Sequence, residues 1–270
     1  MKPTFILGMG AQKTGTSWLH KTLSMEDNVN LGFMKEYHIW DYIFSDLCKG
    51  FKAPLKKPDN ADAAMRRMMQ ESSEIYTKYF QSLINSDVNV TGDITPSYSV
   101  INQLGLEQIS DIIKGAGFNI KVIYLMRDPI DRIWSAVRMQ KRDKLHYGQV
   151  VNDTFCELRA KEYLSFKGHV ARSDYKSTVQ NITEVFNQDE IYIGTYENLL
   201  KEKNTNRLED FLGFTLNHVN FSDRVNRSNE EQMSQELVEH LFNFLAPQYE
   251  FCRDNFKETN KLWRNINVVL

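Results

Sequence analysis

The chain has few of the cysteines that disulfide-rich or zinc-binding proteins require. It contains three cysteines in 270 residues, and Cys48, Cys156 and Cys252 are too widely scattered for the spacing of a metal site. We therefore interpret them as free thiols in a reducing compartment. The first strand-like run begins within a few residues of the start, which predicts no signal peptide and a cytoplasmic protein.

The sequence also lacks long apolar runs and an excess of charge of either sign. No apolar run approaches the ~20 residues that a membrane-spanning helix needs. The formal net charge is −2 and the pI is about 6.3, so no overall field attracts nucleic acid or an anionic membrane. The 41% hydrophobic content is enough for a sizeable core. We expect one domain over residues 1–270 that neither spans a membrane nor binds nucleic acid.

Apolar, strand-like runs alternate with helical patterns along the chain. This alternation is typical of parallel βαβ units and predicts an α/β fold. The predicted strands are 4–8, 29–33, 88–93, 120–126 and 191–195. The predicted helices are 16–25, 61–84, 102–114, 129–142, 174–187 and 231–256. We interpret the irregular segment 145–168 as an insertion over the active site.

The most informative segment is GMGAQKTGTSW, which follows the first predicted strand directly. A glycine-bearing turn between a strand and a helix directs backbone N–H groups and the helix dipole at one point, which suits a phosphate. The nucleotide P-loop reads G-x-x-x-x-G-K-[ST]. Gly10, Gly15 and Ser17 fit that pattern, but Thr16 takes the lysine position and the lysine lies inside the loop, at Lys13. This cation is placed for a group at the end of a 5′-phosphate chain.

A second anion site is predicted where the fourth strand ends. The strand runs into Arg127, and Asp128 and Pro129 are a good cap and first residue for the next helix. Arg127 therefore lies at the carboxyl end of a parallel strand, where ligands of open α/β sheets bind. Ser135 lies about two turns into that helix, and an arginine fork with a hydroxyl can clamp a phosphate dianion. In the alternative interpretation Arg127 pairs with a carboxylate and Ser135 only packs.

These segments resemble sulfotransferases that use 3′-phosphoadenosine-5′-phosphosulfate (PAPS). Residues 12–18 resemble the 5′-phosphosulfate loop, and residues 127–135 resemble the 3′-phosphate motif. Residues 35–41 (KEYHIWD) and 93–98 (DITPSY) are similar to K-E-x-H-F-F-D and E-K-[ST]-P-x-Y of the heparan-sulfate-type branch. Residues 191–199 resemble the strand-and-tyrosine run that borders the adenine. The resemblance implies a three-layer α/β sandwich around a mostly parallel sheet of about five strands.

The resemblance also implies the donor chemistry. PAPS is the donor, adenosine-3′,5′-bisphosphate (PAP) is the product, and no metal ion is required. Lys13 neutralises the leaving oxygen and the sulfonate, while Arg127 and Ser135 hold the 3′-phosphate. Trp18 stacks on the adenine, unless it is an ordinary aromatic of the core. The residues assigned to donor binding are Lys13, Thr14, Gly15, Thr16, Ser17, Trp18, Arg127, Ser135 and Tyr196.

On the acceptor side, the resemblance makes Glu36 the general base, with Lys13 and His38 as the other catalytic residues. A carboxylate can serve as the base if a partly buried setting raises its pKa toward the working pH. His38 is the alternative base, oriented by Glu36, a pairing of known catalytic type. Glu36, His38 and Asp41 are the candidate contacts of the acceptor, although Asp41 alternatively only completes a local hydrogen-bond network.

Departures from the family pattern bear on the acceptor. Ile94 replaces the lysine of E-K-[ST]-P, and the late R-K-G loop is absent as such, with RVNRSN at 224–229 as its candidate replacement. A nearly neutral chain also suits a heavily sulfated polymer poorly. The predicted acceptor is therefore a hydroxyl of a small alcohol or a carbohydrate, with a lipid-linked hydroxyl as the alternative.

Two other functions share the strand, loop and helix. A Mg²⁺-dependent small-molecule P-loop kinase would need lysine at position 16 and an acidic ligand, for which Asp93 is the candidate. A non-catalytic nucleotide- or carbohydrate-binding protein would give Glu36 and Lys13 no chemical task. Dependence on Mg²⁺ separates the kinase from the sulfotransferase.

Overall fold

Five parallel strands form the centre of the computed structural model, which describes residues 2–54, 61–199, 201, 205–220 and 231–266. Their order across the sheet is β2-β3-β1-β4-β5, and every neighbouring pair is parallel. The α/β fold and the five-stranded parallel sheet expected from the sequence are confirmed. The strands are β1 (Thr4–Gly10), β2 (Val29–Asn30), β3 (Val90–Ile94), β4 (Asn119–Met126) and β5 (Ile191–Thr195).

Helices connect the strands and cover both faces of the sheet. Short 3₁₀ turns also occur at Asp46–Phe51, Pro96–Val100 and Ala171–Ser173. The α-helices are α1 (Thr16–Leu23), α2 (Trp40–Phe44), α3 (Ala61–Glu71), α4 (Ser73–Ser82), α5 (Gln103–Gly115), α6 (Pro129–His146), α7 (Phe155–Tyr163), α8 (Lys167–Val170), α9 (Tyr175–Val185), α10 (Tyr196–Leu199), α11 (Thr205–Leu212), α12 (Gln235–Asn255) and α13 (Thr259–Leu262).

The core has two layers, one on each face of the sheet. Phe5, Leu7 and Met9 of β1 pack with buried residues of α4, α5, α6, α9 and α12. Ile6, one position out of phase, packs on the opposite face against α1 and α11. Successive side chains of a strand point to opposite faces, so a run that is apolar throughout is buried on both. This is the predicted three-layer sandwich.

Three predicted elements differ from the structure. The helix expected over 61–84 is two helices, because Ser72 is extended and its side chain caps α4 by accepting a hydrogen bond from the Ile75 amide at 3.4 Å. The strand expected over 29–33 has only two residues, and Gly32 then takes a left-handed conformation. The segment 145–168 is more regular than expected, since it contains α7.

The sheet brings four strand ends to one edge. Since β1 pairs with β3 on one side and β4 on the other, the strand order reverses beside β1. Crevices at such reversal points are the usual ligand sites of open α/β sheets. The loop after β1, the Thr95–Tyr98 segment, Arg127 and Tyr196 all follow the carboxyl ends of their strands. In the described parts of the chain, no helix is long and apolar enough to cross a membrane.

Candidate active site

Two residues with left-handed backbone conformation and one internal hydrogen bond fix the shape of the loop between β1 and α1. Lys13 and Gly15 both have positive φ, at 71° and 93°. A Cβ on Gly15 would lie 3.1 Å from the Tyr196 ring, so a side chain there is doubly disfavoured. The Thr14 hydroxyl is buried and donates to the Ala11 carbonyl at 2.6 Å, so it braces the loop rather than facing a ligand.

The amides of this loop and of the first turn of α1 form an anion-binding concavity. For residues 13–17, all of which are described, the structure gives no protein acceptor to any backbone N–H. Thr16 is buried and Ser17 is half-buried at the start of α1. Consecutive free amides at a helix N-terminus favour a bound phosphate or sulfate group.

Lys13 adds positive charge to this concavity. Its Nζ lies 3.6 Å from the Met139 sulfur, and the described residues include no ion-pair partner for it. Burial first, and then the guanidinium groups of Arg142 and Arg127, lower the pKa of Lys13 to about 8. The cations at this position outnumber Asp143, the one carboxylate that acts on Lys13, so a bound anion would relieve their repulsion.

This pKa predicts a pH dependence for nucleotide binding. Lys13 is charged below about pH 8 and neutral above it. We therefore expect the affinity for PAP to fall above pH 8 by up to about tenfold per pH unit. Isothermal titration calorimetry between pH 7 and pH 9.5 measures this fall. The Lys13→Arg variant is the control, because its guanidinium stays charged and its affinity should remain nearly flat; a similar fall in both proteins would exclude Lys13 as the titrating group.

Arg127 lies beside the loop, as predicted. The Tyr175 hydroxyl donates to the Arg127 carbonyl at 2.8 Å and fixes the backbone, while Arg127 NH1 reaches the Lys13 carbonyl at 3.4 Å. Its guanidinium lies over the Tyr196 ring, 4.6 Å from the centroid. The buried Nε of Arg127 has no hydrogen-bond partner among the described residues. An unpartnered buried donor is costly, and a phosphate oxygen is a suitable acceptor for it.

The other side chains predicted to contact PAPS differ in their exposure to solvent. Ser135 is half-buried on α6, one turn before Met139, whose sulfur contacts Lys13, so the hydroxyl lies along the helix face that borders the loop. Trp18 is only 4% exposed, packs in the apolar layer under α1, and donates through Nε1 to the Asn220 carbonyl at 3.1 Å. It is thus a core aromatic that offers an adenine ring little of its surface. Tyr196 is half-buried beside Arg127.

The segment after β2 presents an acid–base pair. His38 Nδ1 lies 2.7 Å from Asp41 Oδ2, and His38 Nε2 lies 3.5 Å from Glu36 Oε2. The imidazole stacks on Phe51 at a centroid separation of 3.8 Å. Asp41 is fully buried and also accepts a hydrogen bond from the Ser97 hydroxyl at 2.5 Å. For the alternative with His38 as the base, we expected Glu36 to orient the ring, but Asp41 makes the shorter contact with it.

The pKa values of Glu36 and His38 are shifted in opposite directions. Burial alone would raise the pKa of Glu36, but the contacts with His38 and Lys35 outweigh it and lower this pKa to about 2. Burial alone would lower the pKa of His38, but Asp41 and Glu36 raise it above its ordinary value. The condition under which Glu36 could serve as the base, a pKa raised by burial, is therefore not met, because the contacts with His38 and Lys35 favour the carboxylate. Of the two groups, His38 is the one whose pKa is raised.

A buried network at the end of β3 holds this segment in place. Asp93 is fully buried and accepts hydrogen bonds from the hydroxyls of Thr95 at 2.6 Å, Tyr98 at 2.5 Å and Tyr76 at 3.1 Å. Thr95 Oγ1 in turn accepts from the Tyr37 amide at 3.0 Å. Burial raises the pKa of Asp93 to about 6. Asp93 is thus a structural anchor, and its enclosure makes it a poor Mg²⁺ ligand for the kinase alternative.

Of the two departures from the heparan-type sequence pattern, only one lies within the described residues. Ile94 is buried against Gly8 of β1, so the position that carries a lysine in the heparan-type pattern belongs to the core here. The RVNRSN segment at 224–229 lies outside the described residues. Within the described ranges, no three histidine, cysteine or acidic side chains gather into a metal-binding set.

The comparisons with known proteins agree with this geometry. The family model for the sulfotransferase domain matches residues 3–243, almost the whole chain. The chain belongs to the sulfotransferase family. A search of the curated proteins gave no significant match.

Solved sulfotransferase structures share the fold. A sulfotransferase from Alicyclobacillus acidocaldarius superposes with a TM-score of 0.63 and 20% sequence identity, over 93% of this chain and 94% of the other. The sulfotransferase STF9 from Mycobacterium avium gives a TM-score of 0.51 and 15% identity, over 94% of this chain and 77% of the other. At such identities the likeness concerns the architecture, so roles of individual residues rest on the geometry of this chain.

Proposed function

We propose that this sulfotransferase moves the sulfuryl group of PAPS to the hydroxyl of a small alcohol or a carbohydrate and releases PAP. The observation that carries the proposal is the pairing of free loop amides with Lys13 and Arg127 at one crevice, with the unpartnered Arg127 Nε beside it. This arrangement suits a ligand with phosphate groups at two positions better than a single anion.

The donor contacts follow from this geometry. The backbone amides of Thr14, Gly15, Thr16 and Ser17 bind the 5′-phosphate, and the hydroxyl of Ser17, which is half-buried at the start of α1, joins them. Arg127 and Ser135 hold the 3′-phosphate, and Tyr196 borders the adenine. Trp18 contributes by packing α1 against the sheet, with at most its edge against the base.

The chemistry requires one proton acceptor and one cation at the leaving oxygen. The acceptor oxygen forms a bond to sulfur while the bond from sulfur to the 5′-phosphate oxygen breaks, and that oxygen keeps the electron pair. Lys13 neutralises the charge that develops there, and the base takes the hydroxyl proton. As in phosphoryl transfer, positioning and charge stabilisation supply most of the rate.

His38 is the proton acceptor that the structure favours. Asp41 holds Nδ1, which leaves Nε2 to receive the proton, and Glu36 stays ionised beside it. The sequence-based assignment of Glu36 as the base is the alternative. Because the two groups interact closely, their pH profile belongs to the pair.

Single substitutions of His38 and Glu36 distinguish between these two assignments of the base. With His38 as the base, we expect His38→Asn to lower kcat by about 10²–10⁴-fold. Glu36→Gln should remove a charge that raises the pKa of His38, so the rising limb of the kcat profile shifts to lower pH. PAP affinity, measured alongside, should stay near wild type in both variants. A rising limb that persists in His38→Asn and disappears in Glu36→Gln would make Glu36 the base.

Release of PAP tests the activity itself. PAPS is incubated with panels of alcohols, phenols and sugars in the presence of EDTA, and PAP and the sulfated product are measured by mass spectrometry. Metal-independent formation of both in equal amounts is the expected result. Phosphorylated products that form only with ATP and Mg²⁺ would support the kinase instead.

A further inference from the structure

A short segment that follows α13 reaches back to the strand ends that carry Arg127 and Tyr196. Helix α13 ends at Leu262, and the next residues lie against the carboxyl ends of β4 and β5. Trp263 and Asn265 are both buried there and both donate hydrogen bonds to carboxylates. We call these two residues the clamp.

Trp263 holds the carboxylate that follows Tyr196 in the chain. Its indole Nε1 donates to Glu197 Oε2 at 3.1 Å, and the Asp128 amide donates to Glu197 Oε1 at 3.3 Å. Both oxygens of this carboxylate therefore have a donor. The contact with Asp128 also ties the end of β5 to the end of β4.

Asn265 holds the carboxylate that follows Arg127 in the chain. The Asn265 backbone amide donates to Asp128 Oδ2 at 3.0 Å, and the side-chain Nδ2 donates to Asp128 Oδ1 at 3.0 Å. The Tyr249 hydroxyl on α12 also donates to Oδ1, at 2.6 Å. Asp128 is buried, so its carboxylate is fully engaged within the fold.

The clamp leaves the guanidinium of Arg127 without a competing carboxylate. Among the described residues Arg127 forms no ion pair, and its buried Nε has no hydrogen-bond partner. Glu197 follows Tyr196, whose ring centroid lies 4.6 Å from the guanidinium carbon, so a Glu197 side chain released by Trp263 is placed to neutralise it. A guanidinium that is not neutralised is the form that binds a phosphate dianion.

We propose that Trp263 and Asn265 are positioning residues for nucleotide binding, which hold Glu197 and Asp128 so that Arg127 stays free for the 3′-phosphate. The inference rests on the proposed function and adds a part of the chain that is distant in sequence from both phosphate motifs. The clamp acts through the carboxylates and makes no contact of its own with the nucleotide. When the Trp263 donor is lost, Glu197 competes with the 3′-phosphate for the guanidinium.

Trp263→Phe tests the inference, because it keeps an aromatic ring and removes the Nε1 donor. In calorimetric titrations we expect PAP to bind about tenfold more weakly, while adenosine 5′-phosphate, which lacks the 3′-phosphate, loses little affinity. Adding Glu197→Gln should restore most of the PAP affinity, because a neutral amide does not neutralise Arg127. The gain from Glu197→Gln should be larger in this background than in the wild-type protein, which a purely structural role of Trp263 does not predict.

Two further variants control the test. Arg264→Gln lies between the clamp residues, removes only the ion pair with Asp131, and should bind PAP like the wild type. Asn265→Ala should weaken PAP binding with the same selectivity over adenosine 5′-phosphate, and it carries the test if thermal unfolding shows that Trp263→Phe does not fold. Wild-type PAP affinity in the folded clamp variants, or a folded double variant that binds PAP no better than Trp263→Phe, would overturn the inference.

The same titrations separate the clamp from the proposed function. If the wild-type protein binds PAP and the clamp variants match it with both nucleotides, the clamp is wrong and the donor assignment stands. If the wild-type protein does not bind PAP, the proposed function is wrong and the role of the clamp falls with it.

Discussion

Lys13→Ala is expected to lower kcat by about 10²–10³-fold, the effect of removing one preorganised charge or donor from a developing oxyanion. Lys13 lies inside the loop, where burial and the guanidinium groups of Arg142 and Arg127 lower its pKa and, among the described residues, no carboxylate forms an ion pair with it. The alanine variant leaves the negative charge on the departing phosphate oxygen unmatched. Single-turnover kinetics with PAPS and a saturating acceptor measures the chemical step directly.

Two controls define the cause of this loss. Lys13→Arg keeps the charge and should retain more activity than the alanine variant, although a larger head group at a left-handed position is placed less well. PAP affinity in Lys13→Ala should fall less than kcat does, because the amides and Arg127 still hold the nucleotide. A variant that binds PAP poorly but turns over at the wild-type rate would mean that Lys13 binds the donor without a role in the chemical step.

Arg127→Ala is expected to weaken PAP binding by about 2–4 kcal/mol, or roughly 30- to 900-fold in Kd. The guanidinium is held between the Tyr196 ring and the Lys13 carbonyl, and its buried Nε lacks a partner within the described structure. The loss should exceed that of an exposed ion pair, because the contact is partly buried. Calorimetric titration with PAP measures it.

A nucleotide without the 3′-phosphate provides the control. Adenosine 5′-phosphate should bind the wild-type protein more weakly than PAP does, and Arg127→Ala should remove most of that difference. Ser135→Ala should have the same pattern with a smaller effect, about 1 kcal/mol. Equal PAP affinity in the wild type and in Arg127→Ala would show that the 3′-phosphate binds elsewhere.

The fold could be predicted where the local sequence pattern alone favours the strand, cap or loop that is observed. The predicted strand at 191–195 matches β5, because this apolar run directly follows a polar 3₁₀ turn at Gln188–Glu190. Asp128 and Pro129 begin α6, since the Asp128 side chain accepts hydrogen bonds from the amides of Ile130 and Asp131. The first loop is likewise local, because its glycines, lysine and helix start lie within one short segment.

The features of the fold and of the site that were not predicted depend mainly on contacts between different parts of the chain. The helical sequence pattern continues across Ser72, so helix propensity alone does not predict that one helix ends there and that Ser72 caps the next. Asp41 orients His38 only because Ser97 and the network around Asp93 fix that segment from another strand. The lowered pKa of Glu36 was not foreseen either, because burial alone would raise it and the contacts with His38 and Lys35 outweigh burial.

Binding of PAP compared with ATP plus Mg²⁺ tests the central claim most directly. The account predicts tight, metal-independent binding of PAP that EDTA leaves unchanged, with ATP much weaker in the presence or absence of Mg²⁺. A preference for ATP that depends on Mg²⁺ would contradict the account, because the shifted lysine of the loop would then serve a nucleoside triphosphate and the kinase would be the correct function.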